Sequence, residues 1–220
     1  MGHQDDEGMS DEVARVLQAA ARGEFPVPDG TTRIVPQPNR RDAGVLAFTA
    51  HSVVFLDEDP EWIRAELDAA GCDPLAASVH PLFLASLMRR TGRTMDAVDL
   101  LTVASALPGE PPVPLREIED PEHPRVVRAL QYRDDVRVWR ADGGVLILGR
   151  AVAGRWEAAV EVDDHAQGRG LGVRLALAAR HLVPDGHVWA QQSPGNSRSV
   201  RAFQAAGYRA VGAEALLVAH

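Results

Sequence analysis

The chain has 220 residues, 45% of them hydrophobic and 25% charged, with a formal net charge of −8. That length admits one large domain or two small ones with an adequate core, and the acidic balance argues against a general nucleic-acid binder; it favours a cationic acceptor such as an amine only weakly, beside the simpler reading that it keeps the protein soluble. No apolar run approaches the ~20 residues that a membrane helix needs, and the single cysteine, Cys72, excludes an internal disulfide or a multi-cysteine zinc site and fits a reducing cytoplasm.

Residues 1–9, opening Met1-Gly2-His3-Gln4-Asp5-Asp6-Glu7, read as a polar, disordered tail and not as a signal peptide. Ser10-Asp11-Glu12 then opens a helix whose Val13, Val16, Leu17 and Ala20 form an apolar stripe. Residues 23–43 are rich in Pro, Gly and charge, with one strand at Thr32 to Val35; Val45 to Leu56 reads as one or two strands bent near His51. Asp59-Pro60 starts a helix with Trp62, Ile63 and Leu67 inward and Gly71 as its stop. A further helix runs from near Pro81 to Gly92, and Leu100 to Ala106 makes a strand.

Pro108-Gly109-Glu110-Pro111-Pro112-Val113-Pro114 is the best boundary in the chain, dividing an N-terminal α/β region, 10–108, from a domain at 109–220. Beyond it the pattern predicts a strand at Leu115 to Glu119 and a helix at Pro124 to Tyr132. A hairpin of Val136–Arg140 and Val145–Leu148 follows, across Asp142-Gly143-Gly144, and then a strand at Arg155 to Val162.

That last strand runs into Asp163-Asp164-His165-Ala166-Gln167-Gly168-Arg169-Gly170-Leu171-Gly172. Glycines without a Cβ let an anion approach the backbone N–H groups, and the N-terminus of the helix that follows adds free donors and a partial positive charge. Leu171, Leu175, Ala178 and Leu182 mark that helix's apolar face. The spacing is not that of a dinucleotide fingerprint, because Val173 stands where its third glycine belongs; nor is it a P-loop, because all 23 basic residues are arginine.

Gln167-Gly168-Arg169-Gly170-Leu171-Gly172 matches a Q/R-x-x-G-x-G/A signature. Downstream of the strand at His187 to Gln191, Asn196, Ser199, Phe203, Gly207 and Tyr208 fall at the offsets of a second motif. With both motifs in order, residues 115–220 resemble the GCN5-related N-acetyltransferase (GNAT) superfamily. The resemblance implies the α/β acyl-CoA N-acyltransferase fold, a mixed central sheet flanked by helices, and acetyl-CoA as cosubstrate with no metal. It implies that backbone groups around Val160, Glu161 and Val162 pair with the pantetheine arm and that Gln167, Gly168, Arg169, Gly170, Leu171 and Gly172 hold the pyrophosphate, with Arg169 and Arg174 candidates to help neutralise it, Arg174 reading equally as a solvated helix residue. Asn196, Ser199 and Phe203 would line the cofactor, Asn196 serving equally as a helix N-cap. Residues 1–108 carry no motif of the family, and strand–helix alternation leaves open whether they are a degenerate copy of the same fold.

Acetyl transfer to an amine needs a base. Glu157 and Glu161 share one face of an otherwise apolar strand, Trp156 to Val162. Burial would raise a carboxyl pKa there, making one of them the base, with Glu161 preferred; the alternative is an exposed or ion-paired face. Many family members carry a tyrosine as general acid where this chain has Phe203, so the source of the thiolate's proton is open, and Tyr208 reads as packing. The expected activity is acetyl transfer from acetyl-CoA by direct attack of a primary amine belonging to a small-molecule or peptide acceptor, with neither a nucleic acid nor a membrane as partner. A weakly catalytic acyl-CoA-binding regulator and an interaction module that forms a homodimer are the alternatives.

Overall fold

A computed structural model describes residues 12–219. The expected tail at 1–9, and the helix-opening Ser10 and Asp11, lie outside them. The chain forms two compact units, one joining residues up to 99 with residues from 212 onward, the other made of residues 100–211.

In the first unit, α1 (Glu12–Arg22) buries Val13, Leu17, Ala20 and Ala21. Three strands follow: β1 (Thr31–Val35), β2 (Ala43–Phe48) and β3 (His51–Phe55). The expected bend near His51 is a tight antiparallel hairpin, with Ala50 at a φ of 53°. β1 runs parallel to β3. Asp59 caps α2 (Pro60–Ala69) by accepting from the Glu61 N–H. A short α3 (Pro74–Ala77), which the sequence pattern did not suggest, precedes α4 (Pro81–Thr91), stopped by Gly92 at a φ of 67°. The chain returns at the end of β10 (Arg209–Leu217), whose Ala213–Leu217 pair antiparallel with Ala43–Ala47. Arg93 fixes that return: its guanidinium donates to the carbonyls of Arg40, Arg41 and Leu217.

The second unit carries the expected mixed sheet between helices. Its strands are β4 (Val98–Ser105), β5 (Arg116–Ile118), β6 (Asp134–Ala141), β7 (Gly144–Arg150), β8 (Trp156–Val162) and β9 (His187–Gln192). Their order is β4-β9-β8-β7-β6-β5, antiparallel throughout except for the parallel β9/β8 pair. Asp142-Gly143 is the two-residue turn between β6 and β7. Three helices complete the unit: α5 (Pro124–Tyr132), α6 (Leu171–Leu182) and α7 (Ser197–Ala205).

Side-chain alternation sends each strand's residues to two separate cores. Val138, Val145 and Ile147 pack with Val126 and Ala129 of α5. Trp139, Leu146, Leu148 and Ala158 pack on the other face with Leu171, Leu175, Ala178 and Phe203. Of the apolar stripe read for α6, Leu171, Leu175 and Ala178 are buried and Leu182 is partly buried, while Ala176 and Ala179 are buried beside them. The Pro-rich segment 108–114 lies inside the second unit, and residues 212–219 belong to the first. Pro and Gly mark a loop locally, whereas the division into units follows strand pairing between distant residues. Among the described residues, no helix is long and apolar enough to cross a membrane.

Candidate active site

β8 is paired along its whole length with β7, from Gly144↔Val162 to Arg150↔Trp156. With β9 it pairs only through Trp156↔Val188 and Glu157↔Trp189. From Ala158 onward the two parallel neighbours have parted. The alternation of the backbone says which groups face the gap. Asp163 donates its N–H to Gly143 O at 2.9 Å, so the odd-numbered residues Glu157, Ala159 and Glu161 direct their N–H and C=O at β7. Val160 and Val162 therefore direct theirs away from β7, towards the side that β9 has left. Of the three residues expected to present backbone here, Glu161 is the exception.

The gap leads to the glycine loop. After a single 3₁₀ turn at Asp164–Ala166, Gln167, Gly168, Arg169 and Gly170 are all exposed. Gly168 and Gly170 have φ values of 76° and 75°, in the left-handed region where a Cβ is strained. A Cβ at Gly168 would meet no atom within 4 Å. Glycine is needed there for backbone conformation, and the space above the loop is open. Gly170 is the N-cap of α6 and supplies no side-chain cap, so the first-turn N–H groups of Leu171, Gly172 and Val173 are left for solvent or an anion. Leu171 contributes backbone alone, because its side chain is buried in the core. A Cβ added at Gly172 would meet Val162 and Ala202 at 3.6 and 3.7 Å, ordinary van der Waals contact, so packing alone does not require glycine there.

Arginine surrounds the loop. Arg174 donates to Arg169 O at 3.1 Å. Arg198, from α7, donates to Gln167 Oε1 at 2.7 Å, while Gln167 Nε2 donates to Asp164. Arg198 is the residue that sequence reasoning missed; its only signal is its place two residues after Asn196 in the second motif. Asn196 caps α7, its Oδ1 accepting from the Ser199 N–H at 3.1 Å, and both residues lie at the exposed N-terminal end of that helix. Phe203 does not join them. It is 2% exposed and packs edge-to-face on Tyr208, ring centroids 4.8 Å apart, because the seven-residue offset turns it to the buried face of α7. The expectation that Phe203 lines the cofactor is corrected to a packing role. Tyr208 is core as expected: burial pushes its hydroxyl pKa up despite nearby Arg180, and it donates to Ala176 O.

The two glutamates share the α5 face, as parity required, but lie at different depths. Glu157 is buried against two guanidinium groups, with Arg133 at 2.6 Å and Arg155 at 2.7 Å. Burial alone would push its carboxyl up; the charges and hydrogen bonds of Arg133 and Arg155 outweigh it and hold the pKa at about 2. The expectation that burial makes Glu157 a base is therefore corrected: it is a structural anion with both oxygens engaged. Glu161 is half-exposed, on Arg125 of α5 at 2.6 Å, at the end of the strand where the gap opens.

No family model matches the chain, and no curated protein matches it. Among solved structures it is similar to a GCN5-related N-acetyltransferase from Kribbella flavida, at 17% identity over 96% of this chain and 95% of that one, with a TM-score of 0.40. It is also similar to a GCN5-related N-acetyltransferase from Sphaerobacter thermophilus, at 14% identity over 63% of this chain and 56% of that one, with a TM-score of 0.35.

Proposed function

We propose that the chain is an acetyl-CoA-dependent N-acetyltransferase that passes an acetyl group to a primary amine by direct attack. The observation that carries the proposal is the half-released strand β8 leading into an uncapped, glycine-rich helix N-terminus. An acyl-CoA has an extended amide-bearing arm and a pyrophosphate, and each finds its complement here. Val160 and Val162 offer a free strand edge to the arm. Backbone N–H groups from Gly168 to Val173, with Arg169, Arg174 and Arg198 nearby, suit the pyrophosphate.

When bound, acetyl-CoA supplies the activated thioester, whose carbonyl carbon takes the amine nitrogen as the carbon–sulfur bond breaks and the thiolate leaves. The free N–H groups of β8 polarise the carbonyl. Glu161, on the α5 face at the mouth of the gap, takes the proton that the amine must lose, directly or through water. Neither Phe203 nor Tyr208 serves as acid, the first lacking a proton and the second being buried. The thiolate takes its proton from solvent, an easy step for a group of pKa near ~8.5.

Calorimetric titration with acetyl-CoA, with CoA and NAD as controls, tests the reading in wild type and Gly170→Trp. Saturable binding that the substitution abolishes is expected; no binding at millimolar acetyl-CoA removes the proposal. A second reading, an acyl-CoA-binding regulator, is favoured by the phenylalanine in place of a proton donor. Tight binding with no transfer across a panel of amines would select it.

A further inference from the structure

Gln192 ends β9 with its side chain 2% exposed, and its Oε1 is a buried oxygen with no hydrogen-bond partner among the described residues. Buried polar groups are nearly always paired, and an exception calls for a partner that the chain does not itself provide. The rest of the amide fixes which atom is unmet. Thr102, opposite Ala190 on β4, gives its hydroxyl proton to Ala190 O at 3.1 Å. Its oxygen is then free only to accept, and it accepts from Gln192 Nε2 at 3.1 Å. Turning the amide over would set two acceptors against each other, so the unmet atom is the carbonyl oxygen.

That oxygen belongs to the part of the sheet that has come apart. β9 is aligned with β4 as far as Leu100↔Gln192, but with β8 only through Trp156↔Val188 and Glu157↔Trp189. Carried on in the same parallel register, Gln192 is level with Val160, whose N–H and C=O face the gap from the other side. The two residues also share a sheet face. Val160 packs on the core under α6 and α7, as do Val188 and Ala190, which have the parity of Gln192. Thr102 holds the amide nitrogen on the β4 side of β9, and the neighbour on the other side is the gap.

We infer that Gln192 is a binding residue of the acyl-CoA site, its Oε1 accepting a hydrogen bond from a secondary-amide N–H of the extended arm as the arm lies along β8. The inference rests on the acetyltransferase reading. Val160 and Val162 meet the arm through backbone groups, which any extended amide chain would satisfy. A side-chain acceptor at one level is satisfied only when an N–H stops at that level. Gln192 thus fixes how far the arm slides along β8, and with it where the thioester comes to rest.

Acetyl-CoA and two analogues, each with one of the arm's two amides replaced by an ester, are titrated calorimetrically into wild type and Gln192→Met. An ester keeps the shape and the carbonyl and loses the N–H. The loss of affinity caused by one of the esters is expected to be about tenfold smaller in Gln192→Met than in wild type, the signature of a bond between the two altered groups. Thermal unfolding checks that the variant is folded. If it is not, isotope-labelled glutamine reads the same bond in wild type: the Gln192 side-chain carbonyl resonance should move on binding acetyl-CoA and stay in place with the matching ester. Ester losses that are equal in the two proteins, or a resonance that responds alike to all three ligands, overturn the inference and assign the oxygen to a buried water. The transferase reading survives that result while acetyl-CoA still binds; wild type that does not bind acetyl-CoA at all removes both.

Discussion

Glu157 and Glu161 occupy the two ends of one strand, on one face, four residues apart, and have little else in common. At the Glu157 end, β8 has a partner on each side and the carboxylate is 2% exposed between two guanidinium groups. At the Glu161 end, β9 has withdrawn, and the side chain is 42% exposed on a single arginine. Alternation fixes which face a residue takes; pairing of the neighbouring strand decides whether it is sealed in or reachable. A carboxylate that is sealed in serves the fold, whereas one at the opening is free to meet a ligand.

The contrast can be broken at its buried end first. Glu157→Ala leaves Arg133 and Arg155 as unbalanced charges and is expected to cost about 3–5 kcal/mol, read from urea unfolding. Acid should act on the same group. A carboxyl with an ordinary value of 4.5 and a folded-state value of about 2 contributes stability that is fully present above pH 4.5 and is lost as pH falls towards 2. Roughly 3 kcal/mol is at stake. A Glu157→Gln variant should show a flatter stability profile over that window, and an unchanged profile would mean that the triad does not hold the charge.

The open end should respond differently. Glu161→Gln is expected to lower turnover about 10²-fold or more, as loss of a general base does. Its stability should move by no more than about 1 kcal/mol, the worth of an exposed pair with Arg125. A large fall in stability with normal turnover would reverse the roles of the two residues. The smallest effect is at the α7 cap: Asn196→Ala should cost about 1 kcal/mol in thermal unfolding through loss of the bond to the Ser199 N–H.

Much of this was legible in the residues. Pro-initiated helices at Pro60, Pro81 and Pro124 begin where the sequence places them, because an X-Pro start is a local signal. The Asp142-Gly143 turn and the glycine loop are equally local. The pairing partners of Glu157 were not legible, since Arg133 is 24 residues away and only the packing of α5 brings it there. The same holds for Gln192 level with Val160, which needs the register of β9 on β8. Phe203 misled for a different reason: a motif offset gives a position along a helix, and the depth of that position depends on what the helix packs against.

The return of the chain at β10 bears on how the molecule is made. Residues 100–211 form one uninterrupted stretch, so the second unit has all its parts as soon as that stretch leaves the ribosome. The first unit does not: β2 waits for Ala213–Leu217, and Arg93 waits for the Leu217 carbonyl, across more than a hundred intervening residues. Vectorial synthesis ordinarily lets the earlier domain fold first, but here the first unit lacks one of its strand partners until Ala213–Leu217 have been made. The edge of β2 stays unpaired until the later unit has been translated, and a nascent chain stalled before residue 213 would present that open edge to other strands.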